Sequence, residues 1–199
     1  MLDTLLPKVL ALAGSRVLVA IAGPPGAGKT TLAADLAEAL AGEGVPSAVV
    51  PMDGFHLANV ELARLGNADR KGAPDTFDSL GYAALLRRLR DGSELVYAPA
   101  FDHILNEPVA GSIPIAPSVQ VVVTEGNYVL LWPSARELFD LTVYVDVESA
   151  SERVRGLIER QIAKGLTPQA AEEWVYRSDE ANARLIATTA YLADVTLTR

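Results

Sequence analysis

The sequence predicts an α/β fold of three layers (α/β/α), with a five-stranded parallel sheet in the middle. Three observations carry this. Short runs rich in Val and Ile recur at 17–22, 47–52, 119–124, 141–147 and 195–198, and most lack the polar alternation of a half-exposed strand. Stretches with helical spacing of apolar residues separate them, and such alternation builds a parallel sheet through right-handed crossovers. A glycine-rich turn joins the first strand to the helix after it.

Residues 1–14 carry Asp3 and Lys8 among their apolar residues, so they read as an amphipathic helix rather than a signal peptide. After the strand at 17–22, residues 30–41 have helical apolar spacing and stop at Gly42 and Gly44. A helix over 80–89 follows, with Asp78 or Ser79 as its cap. Ser149 and Glu152 form a capping box that opens a helix through Lys164, stopped by Gly165. Thr167-Pro168, a cap followed by proline at the first helical position, opens a last helix to about Tyr191. Residues 59–79 and 98–118 hold several Gly and Pro without a long apolar period and read as loops.

The 199 residues suit one domain, with a lid at about 153–180. With 17 Lys+Arg against 25 Asp+Glu, the net charge of −8 argues against nucleic acid or an anionic membrane as partner. No cysteine is present, which removes disulfides, thiolate chemistry and Cys-ligated zinc. The uncharged stretch 108–124 is broken by prolines and serines, so no transmembrane helix is expected and a cytoplasmic location is the default. A homodimer is the default assembly.

Gly23-Pro24-Pro25-Gly26-Ala27-Gly28-Lys29-Thr30, followed by Thr31, matches G-x-x-x-x-G-K-[ST] between a strand and a helix. Such a P-loop turns backbone N–H groups of Gly23, Pro24–Thr31 apart from the prolines, toward phosphates at a helix N-terminus. Lys29 would reach the β/γ-phosphates and Thr30 would ligate Mg²⁺. Asp53 and Glu125 close two strands, each followed by Gly. Ligands of open α/β sheets sit beyond the carboxyl ends of the strands, so both acids should face the P-loop. Asp53 is read as the base for an acceptor hydroxyl, with metal contact, and Glu125 as the metal residue. Arg153, Arg160 and Lys164 are spaced to share one helix face, with Val154, Leu157, Ile158 and Gln161 on another side.

Asp53-Gly54-Phe55-His56, then Arg70 to Asp78, Pro99-Ala100-Phe101-Asp102-His103 and Thr124-Glu125-Gly126-Asn127-Tyr128 follow the P-loop in that order. The ordered set resembles the P-loop kinase family of uridine kinase, phosphoribulokinase and bacterial pantothenate kinase. Within it, it is similar to short bacterial members labelled nucleoside/nucleotide kinase-like or fructose transport system kinase. The resemblance implies the P-loop NTPase fold with a short helical lid, ATP and Mg²⁺ as cofactors, and a small-molecule hydroxyl acceptor. It implies Asp53 as the catalytic aspartate, Glu125 near magnesium and Arg160 as the lid arginine. It places Asp78, or Asp75, near acceptor hydroxyls, Phe101 and His103 in the acceptor loop, and Asn127 with the acceptor-binding residues. His56 reads as an acceptor-pocket hydrogen-bonder or a loop residue, and Asn182 as a residue near nucleotide or acceptor. Uridine kinases usually carry Tyr where Phe101 stands. A sugar, pantothenate or a nucleoside each remain open as acceptor. The rival readings are a P-loop hydrolase and a non-catalytic nucleotide-binding module. A guanine-reading Asn-Lys-x-Asp element is absent, Glu125-Gly126 stands where an Asp-x-x-Gly switch would follow the third strand, and Lys29, Thr30, Asp53 and Glu125 together favour a kinase.

Overall fold

Six consecutive buried residues, Val17 to Ala22, form the central strand β1 (Val17–Ala22). Leu18, Ala20 and Ala22 face one side of the sheet and Val17, Val19 and Ile21 the other, so the period-two geometry of a strand explains a run with no polar residue. The computed structural model describes residues 1–12 and 15–199. It opens with helix α1 (Leu2–Ala11) before β1 and continues through α2 (Lys29–Gly42) and β2 (Ser47–Pro51). Helices α3 (Asn59–Leu65) and α4 (Ser79–Asp91) precede a pair of strands, β3 (Val96–Asp102) and β4 (Glu107–Ile115). Then come β5 (Val121–Glu125), α5 (Pro133–Arg136), β6 (Leu141–Asp146), α6 (Ala150–Ala163), α7 (Pro168–Trp174), α8 (Glu180–Ala187) and β7 (Val195–Thr198).

The main sheet has five parallel strands in the order β2-β5-β1-β6-β7. Leu5 and Val9 of α1 and Leu32, Leu36 and Leu40 of α2 cover one face. Tyr82, Leu86 and Leu89 of α4, with Tyr128 and Trp132, cover the other. Because all five strands run the same way, their carboxyl ends share one edge. Glu125 pairs in register with both Ile21 and Pro51. The P-loop and Asp53 each begin two residues beyond those partners, so register alone brings the three together. Beneath them the buried Tyr82 hydroxyl meets Thr124 Oγ1 at 2.7 Å, and the Thr124 hydroxyl donates to the Val50 carbonyl at 2.7 Å.

Three expectations are corrected. Residues 98–118 are mostly an antiparallel hairpin rather than a loop, since β3 and β4 pair with a register shift between Ala98 and Ala100. Its prolines, glycine and exposed outer face erase the alternation that would have revealed it. Residues 59–79 contain α3 and two single 3₁₀ turns. The last long helix is interrupted: α7 passes into a π-helical turn, Val175–Asp179, before α8, which ends at Ala187. Among the described residues no helix is long and apolar enough to cross a membrane.

Candidate active site

Gly28 caps α2 in the left-handed region, at φ 84°. A side chain there would be strained, and its Cβ would also strike the guanidinium of Arg199, which lies against the loop. Lys29, the next residue, is buried. Its ammonium donates to Asn127 Oδ1 at 2.9 Å and to the Pro24 carbonyl at 3.0 Å. Burial lowers its pKa to about 8, against the opposing pull of Glu125 and Asp53. Thr30 Oγ1 donates to Glu125 Oε1 at 3.1 Å. Burial raises the Glu125 carboxyl, while Lys29 holds it back.

A cleft of about 310 Å³ is lined by Gly26, Gly28, Lys29, Thr30 and Thr31 of the loop. Asp53, Glu125, Asn127 and Arg160 close its other sides. Of the remaining loop residues, Gly23 packs against Val145, Ala27 is buried, and Pro24 offers its carbonyl to Lys29. A second cleft of about 450 Å³ is lined by Val147, Glu148, Ser149, Gly156 and Arg199, and shares Gly26, Leu157 and Arg160 with the first. The two therefore adjoin along Gly26, Leu157 and Arg160.

His56 follows the 3₁₀ turn that carries Asp53. Its Nδ1 donates to the Asp53 carbonyl at 2.8 Å, and burial lowers its pKa. Its ring packs 4.0 Å from Phe77 and 4.7 Å from Phe101, which in turn lies 5.3 Å from His103. His56, Phe101 and His103 thus form one aromatic row beside the Asp53 turn and do not line the P-loop cleft. Lys71 stacks over Phe101 at 5.2 Å and donates to Asn59 Oδ1 and the Asn106 carbonyl.

Asp78 stands apart from both groups. It is exposed and accepts from the Gly81 N–H at 2.8 Å, as the cap of α4. Asp75 is engaged by Arg70 at 2.9 Å. The glycines after the two strand-end acids also answer to the protein itself. A Cβ on Gly54 would strike the Pro99 carbonyl of β3, and one on Gly126 would meet Met52 Cβ at 2.5 Å.

The cationic stripe of α6 is divided. Arg160 is exposed and lines both clefts. Arg153 is buried, donates to the Pro25 carbonyl at 3.2 Å and pairs with Glu180 of α8. Leu157, expected on another side, is buried between them against the loop, because α6 lays one mixed face on Gly26. Asn182 Nδ2 donates to the Gly72 carbonyl at 3.3 Å, which also accepts from Tyr128 Oη at 2.6 Å. Sequence reasoning missed Asp179 and Arg199 as cleft residues. Neither belongs to a motif, and only the winding of α7–α8 and the pairing of β7 bring them there.

The model of the phosphoribulokinase / uridine kinase family matches residues 18–199. The chain belongs to this family. It is accordingly an ATP-dependent phosphotransferase with an alcohol group as acceptor. It is 36% identical over 196 residues to the Schizosaccharomyces pombe protein named "Putative uridine kinase C227.14", covering 92% of this chain and 83% of that one. A pantothenate kinase of Mycolicibacterium vanbaalenii is 34% identical over 134 residues, which is 65% of this chain and 43% of the relative. Among solved structures, the "putative fructose transport system kinase" from Silicibacter sp. TM1040 superposes with a TM-score of 0.91 at 37% identity, over 99% of this chain and 98% of that chain. The family kinases similar to this chain thus carry names with different acceptors.

Proposed function

We propose that this family kinase transfers the γ-phosphate of ATP, with Mg²⁺, to a hydroxyl of a small metabolite, and that Asp53 takes the hydroxyl proton. The observation that carries the reading is the meeting of Lys29, Thr30, Asp53, Glu125 and Arg160 around one cleft of about 310 Å³. The adjoining cleft of about 450 Å³ suits the nucleoside end of ATP, leaving the phosphates on the loop.

The oxygen donors Thr30 Oγ1 and Glu125 Oε1, 3.1 Å apart, fit a hard divalent cation. A bound Mg²⁺ supplies charge neutralisation on the phosphates and orientation of the transferring group. With Asp53 they are the residues that would hold it. The chain's own groups do the rest. The P-loop amides and Lys29 bind the phosphates, for which Lys29 leaves Asn127 and Pro24. Asp53 accepts the proton of the acceptor hydroxyl as its oxygen bonds to the γ-phosphorus and the bond to ADP breaks. Arg160 offsets charge on the transferring group, and α6 with the segment to residue 180 acts as a lid that excludes water.

The test is ADP release with ATP and Mg²⁺ across nucleosides, pantothenate, hexoses, pentoses and sugar phosphates. Turnover well above the acceptor-free rate with one acceptor, abolished by Asp53→Asn, supports the reading. The same ADP release without any acceptor would favour a hydrolase instead.

A further inference from the structure

Asp179 has no part in the chemistry derived above, yet its carboxylate lines the same cleft as Asp53 and Glu125. It ends the π-helical turn between α7 and α8. Widened turns of this kind are rare and recur at functional sites. Its Oδ2 is fully buried and has no hydrogen-bond partner. Arg153, which reaches this helix from α6, pairs with the next residue, Glu180. Among the described residues no ion pair includes Asp179. Burial raises its carboxyl, held back by Arg160, Arg153 and Lys164. A buried acceptor oxygen without a donor is costly, and a ligand that donates to it removes that cost.

The direction of this face points to the acceptor side. Asn182 lies three residues on, in α8, and reaches the Gly72 carbonyl of the 68–76 segment. Tyr128, which donates to the same carbonyl, is close enough to both Asp53 and Asp179 for each to raise its hydroxyl pKa. Lys29 and Arg160 are taken up by the triphosphate in the proposed reaction, while Asp53, Glu125 and Asp179 put three carboxylates on the cleft, so an anionic group set against Asp179 meets like charge.

We infer that Asp179 selects the acceptor. Its Oδ2 takes a hydrogen bond from a second, non-reacting hydroxyl of the molecule whose reacting hydroxyl faces Asp53. The acceptor is therefore a neutral polyol presenting at least two hydroxyls, and a carboxylate or phosphate at this position is refused. The inference rests on the kinase reading.

The experiment measures acceptor-dependent ADP release by the wild type, Asp179→Ala and Asp179→Asn. Uridine, D-ribose and D-fructose serve as neutral polyols, and D-glycerate and fructose 1-phosphate as anionic acceptors. Wild-type turnover with a neutral polyol is expected. In Asp179→Ala the acceptor KM should rise about ten- to hundredfold, the loss of one hydrogen bond to a charged group, with the KM for ATP unchanged and the melting temperature of the free protein equal or higher. Asp179→Asn, which keeps an acceptor oxygen, should recover part of the loss. A deoxy analogue lacking the second hydroxyl should lose as much with the wild type and no more with Asp179→Ala. An unchanged acceptor KM in Asp179→Ala overturns this inference alone. So does wild-type turnover confined to the anionic acceptors, in which case the kinase reading still stands. No acceptor-dependent turnover by the wild type on any of the five compounds overturns the polyol assignment, and ADP release that ignores the acceptor overturns the kinase reading with it.

Discussion

The ammonium of Lys29 and the side-chain oxygen of Asn127 meet at 2.9 Å across the mouth of the P-loop cleft. With the Pro24 carbonyl, Asn127 gives a buried cation two partners where a triphosphate would otherwise satisfy it.

A pH dependence of nucleotide binding follows. Burial brings the Lys29 pKa down to about 8, so the free protein loses this charge as pH rises through that value. Affinity for a non-hydrolysable ATP analogue should weaken about tenfold between pH 7 and pH 9. Titration calorimetry with Lys29→Met should show weaker binding and no such pH step. Stability of the free protein has the opposite trend. Between about 8 and the ordinary 10.5 the unfolded chain binds the proton that the native state has released. Stability should therefore rise with pH across that window, and Lys29→Met should remove the rise.

Gly54→Ala should damage activity more than stability. A Cβ there strikes the Pro99 carbonyl of the hairpin, and the Asp53 turn must shift to admit it. A stability loss of about 1–3 kcal/mol is expected. Displacing the proposed base should lower kcat by about a hundredfold. A variant with unaltered kcat would mean that the hairpin, not the turn, yields.

Glu180→Ala should strip Arg153 of its partner while leaving the arginine buried under α6. The cost should be roughly 3 kcal/mol, or about 6–12 °C in Tm. Replacing both residues by Met should recover much of it, since a buried pair is worth little against apolar packing of similar volume. Thermal denaturation of the two variants decides the point.

Asp78→Ala tests the residue for which the family resemblance and the local structure give different roles. Loss of the cap on α4 should cost about 1 kcal/mol, with the acceptor KM unchanged. A raised KM would return Asp78 to the acceptor site.

What was legible in the sequence follows from period and spacing. The run Val17–Ala22, apolar throughout and short, read as a doubly covered strand and is one, and the P-loop spacing pointed to a phosphate ligand. Ser149 and Thr167 cap their helices as their patterns imply. The hairpin of β3 and β4 was hidden because its edge strands carry Pro99, Pro108 and Gly111, residues that also spell a loop. Arg153 and Arg160 are the same residue type at helical spacing. Whether each binds protein or faces a cleft depends on Pro25 and Glu180, which lie far away in sequence. Asp179 was illegible because a π turn alters the angular spacing on which helix-face arguments rest.

The doubly bonded carbonyl of Gly72 makes the molecule mechanically one circuit. From it, Asn182 leads into α8, Glu180 leads from α8 to Arg153 of α6, and Arg153 leads to Pro25 of the P-loop. The 68–76 segment and the P-loop are thus the two ends of a single chain of hydrogen-bonded links. A displacement of α8 would have to be accommodated at both ends, and any coupling between them must run equally in both directions.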